Sequence, residues 1–275
     1  MQNKRMYGIW SMAIIICLVL VLFSLGFVSC SGGGGRPRET SSPTPSSTPT
    51  ELSPEITETP EPTPPSTPEP TPPTILAETE DRGQAYIDSM AFMGDSTTYG
   101  LHYYNVLKPS QVWTPKNGTF SIFNQSIVRI LDNENQIEYS IDEFCALKKP
   151  TYLTITLGVN GIAWLEEEDF KAYYKELIRR VQEATPDTKI VLNSMYPIAR
   201  EYNTSSGIDN EKITIGNDWV LAVAEELGLR YLDTASVLKD AEGYLPSDYD
   251  NGDGMHLEKS TLELIVHYIR THGYQ

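Results

Sequence analysis

Cysteine is scarce in this 275-residue chain, three in all, and only Cys145 falls in the part that reads as folded. A disulfide within that part is therefore excluded, and its stability must come from an ordinary apolar core. Basic residues are also in short supply: 21 Lys and Arg stand against 37 Asp and Glu, for a net charge of −16. Residues 31–84 hold nine acids and three bases, which leaves about −12 for residues 85–275. So acidic a domain excludes nucleic acid as a partner and gains nothing from an anionic lipid surface. Histidine occurs only four times, so few groups can serve as a neutral-pH base. No internal repeat is visible.

Lys4 and Arg5 precede a stretch from Met6 to Val28 without a single charge. Residues 1–30 read as an export segment, set apart from the fold. Phe27-Val28-Ser29-Cys30 resembles the processing box of bacterial lipoproteins, which would make Cys30 a lipidation site. An uncleaved anchor is the alternative, since about 20 apolar residues span a bilayer. Either reading places the remainder outside the cytoplasmic membrane, tethered to it, with the basic residues held inside. Residues 31–84 read as a disordered Pro-, Thr-, Ser- and Glu-rich linker, too poor in apolar residues to fold. Extended as polyproline it reaches on the order of 130 Å at about 3.1 Å per residue. Residues 85–275 are left for one domain of ordinary size.

Within that domain apolar runs alternate with amphipathic ones. Strands are expected at Ala91–Met93, Tyr152–Leu157, Lys189–Met195 and Arg230–Leu232, and helices at Glu166–Ala184, Glu211–Leu227 and Glu258–Thr271. Strands separated by helices predict an α/β architecture, a central parallel sheet covered on both faces. Cys145, within the helical-looking Ile141–Leu147, reads as a small buried residue.

The chemistry gathers at three places. Gly94-Asp95-Ser96-Thr97-Thr98 follows the apolar Met90–Met93 and presents a serine at the end of a buried strand. Leu157-Gly158-Val159-Asn160-Gly161 ends the most strand-like run. Asp253-Gly254-Met255-His256 precedes the last helix. A serine hydroxyl needs a neighbouring base before it can attack; His256 is the candidate, and Asp253, three residues before it, can orient its ring and stabilise the imidazolium. His102, His267 and His272 have no acid at that spacing. Asp95 is expected to shape the turn and cap the helix beginning near Thr97. The stretch Asp248–Gly254 imitates a calcium loop, but Gly252 takes a ligand position and Lys259 stands where a bidentate Glu is needed, so no metal site is expected.

In this order the three motifs resemble the SGNH/GDSL family of esterases and acylhydrolases over residues 86–275. The resemblance implies a three-layer α/β/α, flavodoxin-like SGNH hydrolase fold and a cofactor-free reaction through Ser96, His256 and Asp253. It also implies an oxyanion hole from the Ser96 amide, the Gly118 amide of Asn117-Gly118-Thr119, and the Asn160 side chain. The family usually has Gly-x-Asn-Asp where this chain has Gly161 in the last place. An ester substrate follows; with the domain tethered at what reads as a Gram-positive-like surface, in the wall, a small acyl group such as acetyl on a polysaccharide or wall glycan is expected. A lysophospholipase or thioesterase of the same family and a non-catalytic surface binding protein are the alternatives. Tyr99, Tyr103, Tyr104, Trp113, Trp164 and Tyr196 lie near the motifs and suit a flat polar ligand such as a sugar.

Overall fold

The computed structural model of the protein describes residues 73–275; the expectations for Met6–Val28, Cys30 and residues 31–72 lie outside the described residues. Among the described residues, seven strands run as β1 (Met90–Gly94), β2 (Val112–Trp113), β3 (Arg129–Asp132), β4 (Ile137–Ser140), β5 (Tyr152–Thr156), β6 (Lys189–Asn193) and β7 (Arg230–Leu232). The helices are α1 (Gly83–Asp88), α2 (Ser96–Tyr103), α3 (Ile141–Lys148), α4 (Glu167–Ala184), α5 (Asn210–Leu227) and α6 (Lys259–Thr271).

Five strands form one sheet in the order β2-β1-β5-β6-β7, all neighbours parallel. Its inner strands are apolar on both faces, and helices cover both. Ala91, Met93, Leu153, Ile155, Ile190 and Leu192 meet Phe144, Leu177, Ile178, Val181 and Val220 of α3, α4 and α5. Met90, Phe92, Val191 and Leu232 meet Ile87, Leu101, Leu262, Ile265 and Ile269 of α1, α2 and α6. Alternate residues of one strand thus feed two cores, as the pleat requires. The fold is α/β with three layers. Helix α4 shows the logic locally: Phe170, Tyr174, Leu177, Ile178 and Val181 make its buried stripe, while Glu167, Glu168 and Asp169 occupy the first turn, where the helix dipole favours acids.

The chain goes from β1 outward to β2 and then returns to β5 on the other side of β1. The connections at the carboxyl ends of β1 and β5 therefore diverge, leaving the crevice in which open parallel sheets place their sites. The register Gly94↔Thr156 sets the segments beginning at Asp95 and Leu157 side by side.

Several expectations need correction. β5 and β6 end at Thr156 and Asn193, short of Leu157 and Met195; both residues are buried, at 1% and 2% exposure, so the apolar run outlasts the ladder. The two-residue β2 and the partly exposed hairpin β3/β4 gave no readable alternation. The linker does not extend to residue 84. Leu76 is buried and donates its N–H to Tyr231 O at 2.8 Å, Tyr231 N–H reaches Thr74 O at 2.8 Å, and Arg82 N–H reaches Arg270 O at 2.9 Å. Residues 74–82 line the β7 edge and the end of α6. Buried Leu76, backbone groups at that edge and the Asp81–Arg270 ion pair hold them.

Candidate active site

Ser96 is the first residue of α2. Asp95, extended at φ −99° and ψ −153°, caps that helix; one carboxylate oxygen accepts from Thr97 N–H at 3.0 Å and from the Thr97 hydroxyl at 2.8 Å. The turn is tight because Gly94 lacks a side chain: a Cβ there would stand 2.7 Å from Thr156 O and strike Thr98. As the first helical residue, Ser96 has an N–H without an intrahelical acceptor.

His256 reaches Ser96 from the loop before α6, with Nε2 2.8 Å from the serine Oγ. Its Nδ1 lies 2.7 Å from Asp253 Oδ2. The other oxygen, Asp253 Oδ1, accepts the N–H groups of Met255 and His256 at 2.9 and 2.8 Å, so one carboxylate both shapes the loop and faces the ring. Partial burial works to raise the Asp253 carboxyl, but those two N–H groups and the imidazole outweigh it and hold it below the usual range. Both contacts fall within the reach expected of a nucleophile, its base and an orienting group. Among the other histidines, His102 sets its ring edge-on to Tyr99 and His272 stacks on Tyr268. The structure thus brings Ser96, His256 and Asp253 together.

Asn160 arrives from the turn after β5. Gly158 makes that turn possible: its φ is +134°, and a Cβ would stand 2.6 Å from Met195 Sδ and 2.9 Å from Phe170. Asn160 Nδ2 donates to Asp95 Oδ2 and to Phe120 O, both at 3.2 Å, while Ser121 Oγ donates to Asn160 O at 2.8 Å. The bond to Asp95 had no signal in the sequence, because it joins residues 65 positions apart. Asp95 itself is 1% exposed; burial, the largest effect, pushes its carboxyl up to about 6 against the Thr97 bonds and the nearby His256.

Gly118 also lies against the serine: a Cβ on it would sit 3.4 Å from Ser96 Cβ, and its φ is +70°. Its amide, however, donates to Pro115 O at 2.9 Å. The turn at Pro115 thus holds this N–H, which would have to exchange that bond to face an oxyanion; the glycine also leaves the space beside Ser96 free of a side chain.

The calcium-like loop closes on itself. Asp250 Oδ1 accepts from Gly252 and Gly254 N–H, and Asn251 N–H donates to His256 O at 2.8 Å. Among the described residues no three His, Cys, Asp or Glu side chains are grouped to hold a metal. The aromatics separate into two sets: Trp113 and Tyr196 are core, at 1% and 7% exposure, whereas Tyr103 and Trp164 are 64% and 69% exposed. Cys145 is fully buried, which together with Asp142 pushes its thiol up to about 12.

Two spaces lie near these residues, one of them lined by the serine. One, about 10 Å³, is lined by residues including Asp95, Leu157, Val159, Met195 and Met255 and has room for about one water. The other is an open cleft of about 280 Å³ that contains Ser96 and His256 and runs along Tyr99, Tyr103 and Tyr104.

The sequence profile of the GDSL-like Lipase/Acylhydrolase family matches residues 92–263, more than half of the chain, and the chain belongs to that family. No curated protein matches the chain in sequence. Among solved structures, a Streptococcus pneumonia protein described under the name platelet activating factor is similar at 18% identity, with a TM-score of 0.50, over 66% of this chain and 82% of its own. That likeness concerns the fold. A GDSL-like lipase from Bacteroides thetaiotaomicron is 16% identical, with a TM-score of 0.46, over 64% of this chain and 84% of its own. An acetyl-xylooligosaccharide esterase from Geobacillus Stearmophilus is 15% identical, with a TM-score of 0.42, over 68% and 94%.

Proposed function

We propose that the protein is a serine esterase that removes a small acyl group, such as acetyl, from a polysaccharide or wall glycan. The observation that carries this reading is the unbroken chain from Ser96 Oγ to His256 Nε2 and from His256 Nδ1 to Asp253, at 2.8 and 2.7 Å, at the mouth of an open cleft. With Nδ1–H held by Asp253, Nε2 is left unprotonated to take the serine proton.

In this reading Ser96 Oγ attacks the ester carbonyl while His256 takes its proton. The resulting oxyanion meets the free Ser96 N–H and the Asn160 amide, which exchanges its bond to Phe120 O for one to the substrate. One such donor contributes about 2.7–4 kcal/mol to lowering the barrier. His256 then gives its proton to the departing alcohol. A water molecule, deprotonated by His256, attacks the acyl-serine and releases the carboxylic acid and free Ser96.

The small acyl group is supported by the lining of the cleft that contains Ser96 and His256, in which Leu257 is the one aliphatic side chain among Ser, Thr, Tyr, Gly, Asn and His; that speaks against a lysophospholipase or long-chain thioesterase. The glycan is supported by the open, tyrosine-lined cleft and by the acidity of the domain, which favours a neutral partner. Display outside the cytoplasmic membrane, through a lipid on Cys30 or an anchor at Met6–Val28, is supported by the order of apolar run, cysteine and Pro-rich linker in residues 1–72.

Acetate release from glycerol triacetate and from O-acetylated oligosaccharide, by the purified protein and by Ser96→Ala, tests the reading. Release abolished by the substitution is expected. Equal rates in both proteins refute it.

A further inference from the structure

Ser96, Tyr99 and Tyr103 stand at i, i+3 and i+7 of α2, so the nucleophile and two aromatic rings share one helix face. At about 1.5 Å per residue, Tyr103 lies roughly 10 Å along the axis from the serine. Both tyrosines line the cleft that contains Ser96 and His256, at 37% and 64% exposure. Their centroids are 6.1 Å apart with 36° between planes, which makes a shallow continuous floor. Tyr104 stands edge-on to Tyr103 at 5.0 Å and His102 edge-on to Tyr99 at 5.8 Å, so the rings are braced before any ligand arrives. Among the described residues neither phenol hydroxyl has a hydrogen-bond partner.

We propose that Tyr99 and Tyr103 form a platform for the sugar that carries the ester, on the leaving-alcohol side of Ser96. The assignment rests on the esterase reading above for its chemistry and on the cleft for its geometry. Whatever fills a cleft holding the nucleophile is part of the molecule bearing the ester. In that reading the acyl group is small, so most of the roughly 280 Å³ cleft that contains Ser96 and His256 receives the alcohol. Exposed, pre-braced rings offer an apolar face to the C–H face of a pyranose and free hydroxyls to its oxygens, at low entropic cost. Asn251, which also lines the cleft, adds a neutral polar group, and its loop carries Asp248, Asp250 and Asp253. An anionic headgroup is disfavoured there. The occupant is a neutral, O-acetylated oligosaccharide.

The test uses O-acetylated xylo-oligosaccharide and, as an ester without a ring, glycerol triacetate. In the full-length protein, Tyr99→Ala and Tyr103→Ala are each expected to lower the ratio of kcat/KM for the sugar ester over triacetin by about 3- to 10-fold, chiefly through KM. Tyr103→Phe, which keeps the ring, holds that ratio within about twofold. Binding of the same oligosaccharide is measured in parallel on Ser96→Ala by calorimetry, and should weaken by a similar factor when Tyr103→Ala is added. An unchanged ratio and unchanged binding in both alanine variants overturn the platform, as does a Phe variant that loses as much as the Ala one. If the parent protein releases no acetate but sugar binding still depends on the two rings, the esterase reading falls while the platform stands.

Discussion

Replacing Asp95 with Asn tests the most unusual titrating group in the site. Asp95 is buried beneath Ser96, and its carboxyl is pushed from an ordinary 3.8 up to about 6. The folded state therefore binds a proton more tightly than the unfolded chain. Between pH 4 and pH 6 the folded form holds more protons at this position, so stability falls as pH rises. The contribution is fully present below about pH 4 and lost as pH passes through about 6. A displacement of about two pH units corresponds to about 3 kcal/mol. Asn can still accept the Thr97 N–H and cap α2, but it does not titrate. Urea unfolding of the wild type and Asp95→Asn at pH 4, 5, 6, 7 and 8 measures the effect. Carboxylates such as Asp253, held below their usual range, shift stability the opposite way in both proteins and cancel in the difference. The variant should gain on the wild type by about 3 kcal/mol between the acid and neutral ends of the series. A difference independent of pH would refute the buried, proton-retaining carboxylate.

Asn160→Ala should lower kcat by roughly 10²–10³ through loss of an oxyanion donor, and should cost about 1–3 kcal/mol of stability because Asp95 Oδ2 and Phe120 O lose their partner; steady-state kinetics and urea unfolding separate the two. Asp253→Asn should reduce kcat by up to about 10⁴, since the amide no longer selects the Nδ1–H tautomer of His256, while thermal unfolding shows the fold retained. Leu76→Ala should destabilise the domain by about 2–5 kcal/mol as a buried leucine is removed; an unchanged urea midpoint would detach residues 74–82 from the folded unit.

The central strands and long helices were legible because burial on both faces, or on one stripe, writes itself into spacing: β1, β5, α4 and α6 lie within one or two residues of the ends expected from pattern. The short β2 carries too few residues for any period. Residues 74–82 were hidden because backbone bonds to β7 and α6 hold them, and such bonds leave no compositional trace. The convergence of Ser96, His256 and Asp253 was legible because each sits at the end of an apolar run or before a helix, where a parallel sheet gathers its loops. The bond from Asn160 to Asp95 and the engagement of the Gly118 amide by Pro115 were not. Both depend on how distant loops meet, which residue type alone does not encode.

Residues 74–82 and the last turn of α6 bring the two ends of the described chain together. Thr79 N–H donates to Thr271 O at 2.6 Å and Gly273 N–H to Thr79 Oγ1 at 3.2 Å, and Arg270 pairs with Asp81. In connectivity the domain is thus close to a ring. A short bridge from Gln275 to Thr74 would close it, and new termini could open at an exposed turn such as Asn133–Gln136 in a circularly permuted chain. The order in which elements leave the ribosome would change while the sheet, the cleft and Ser96 keep their places.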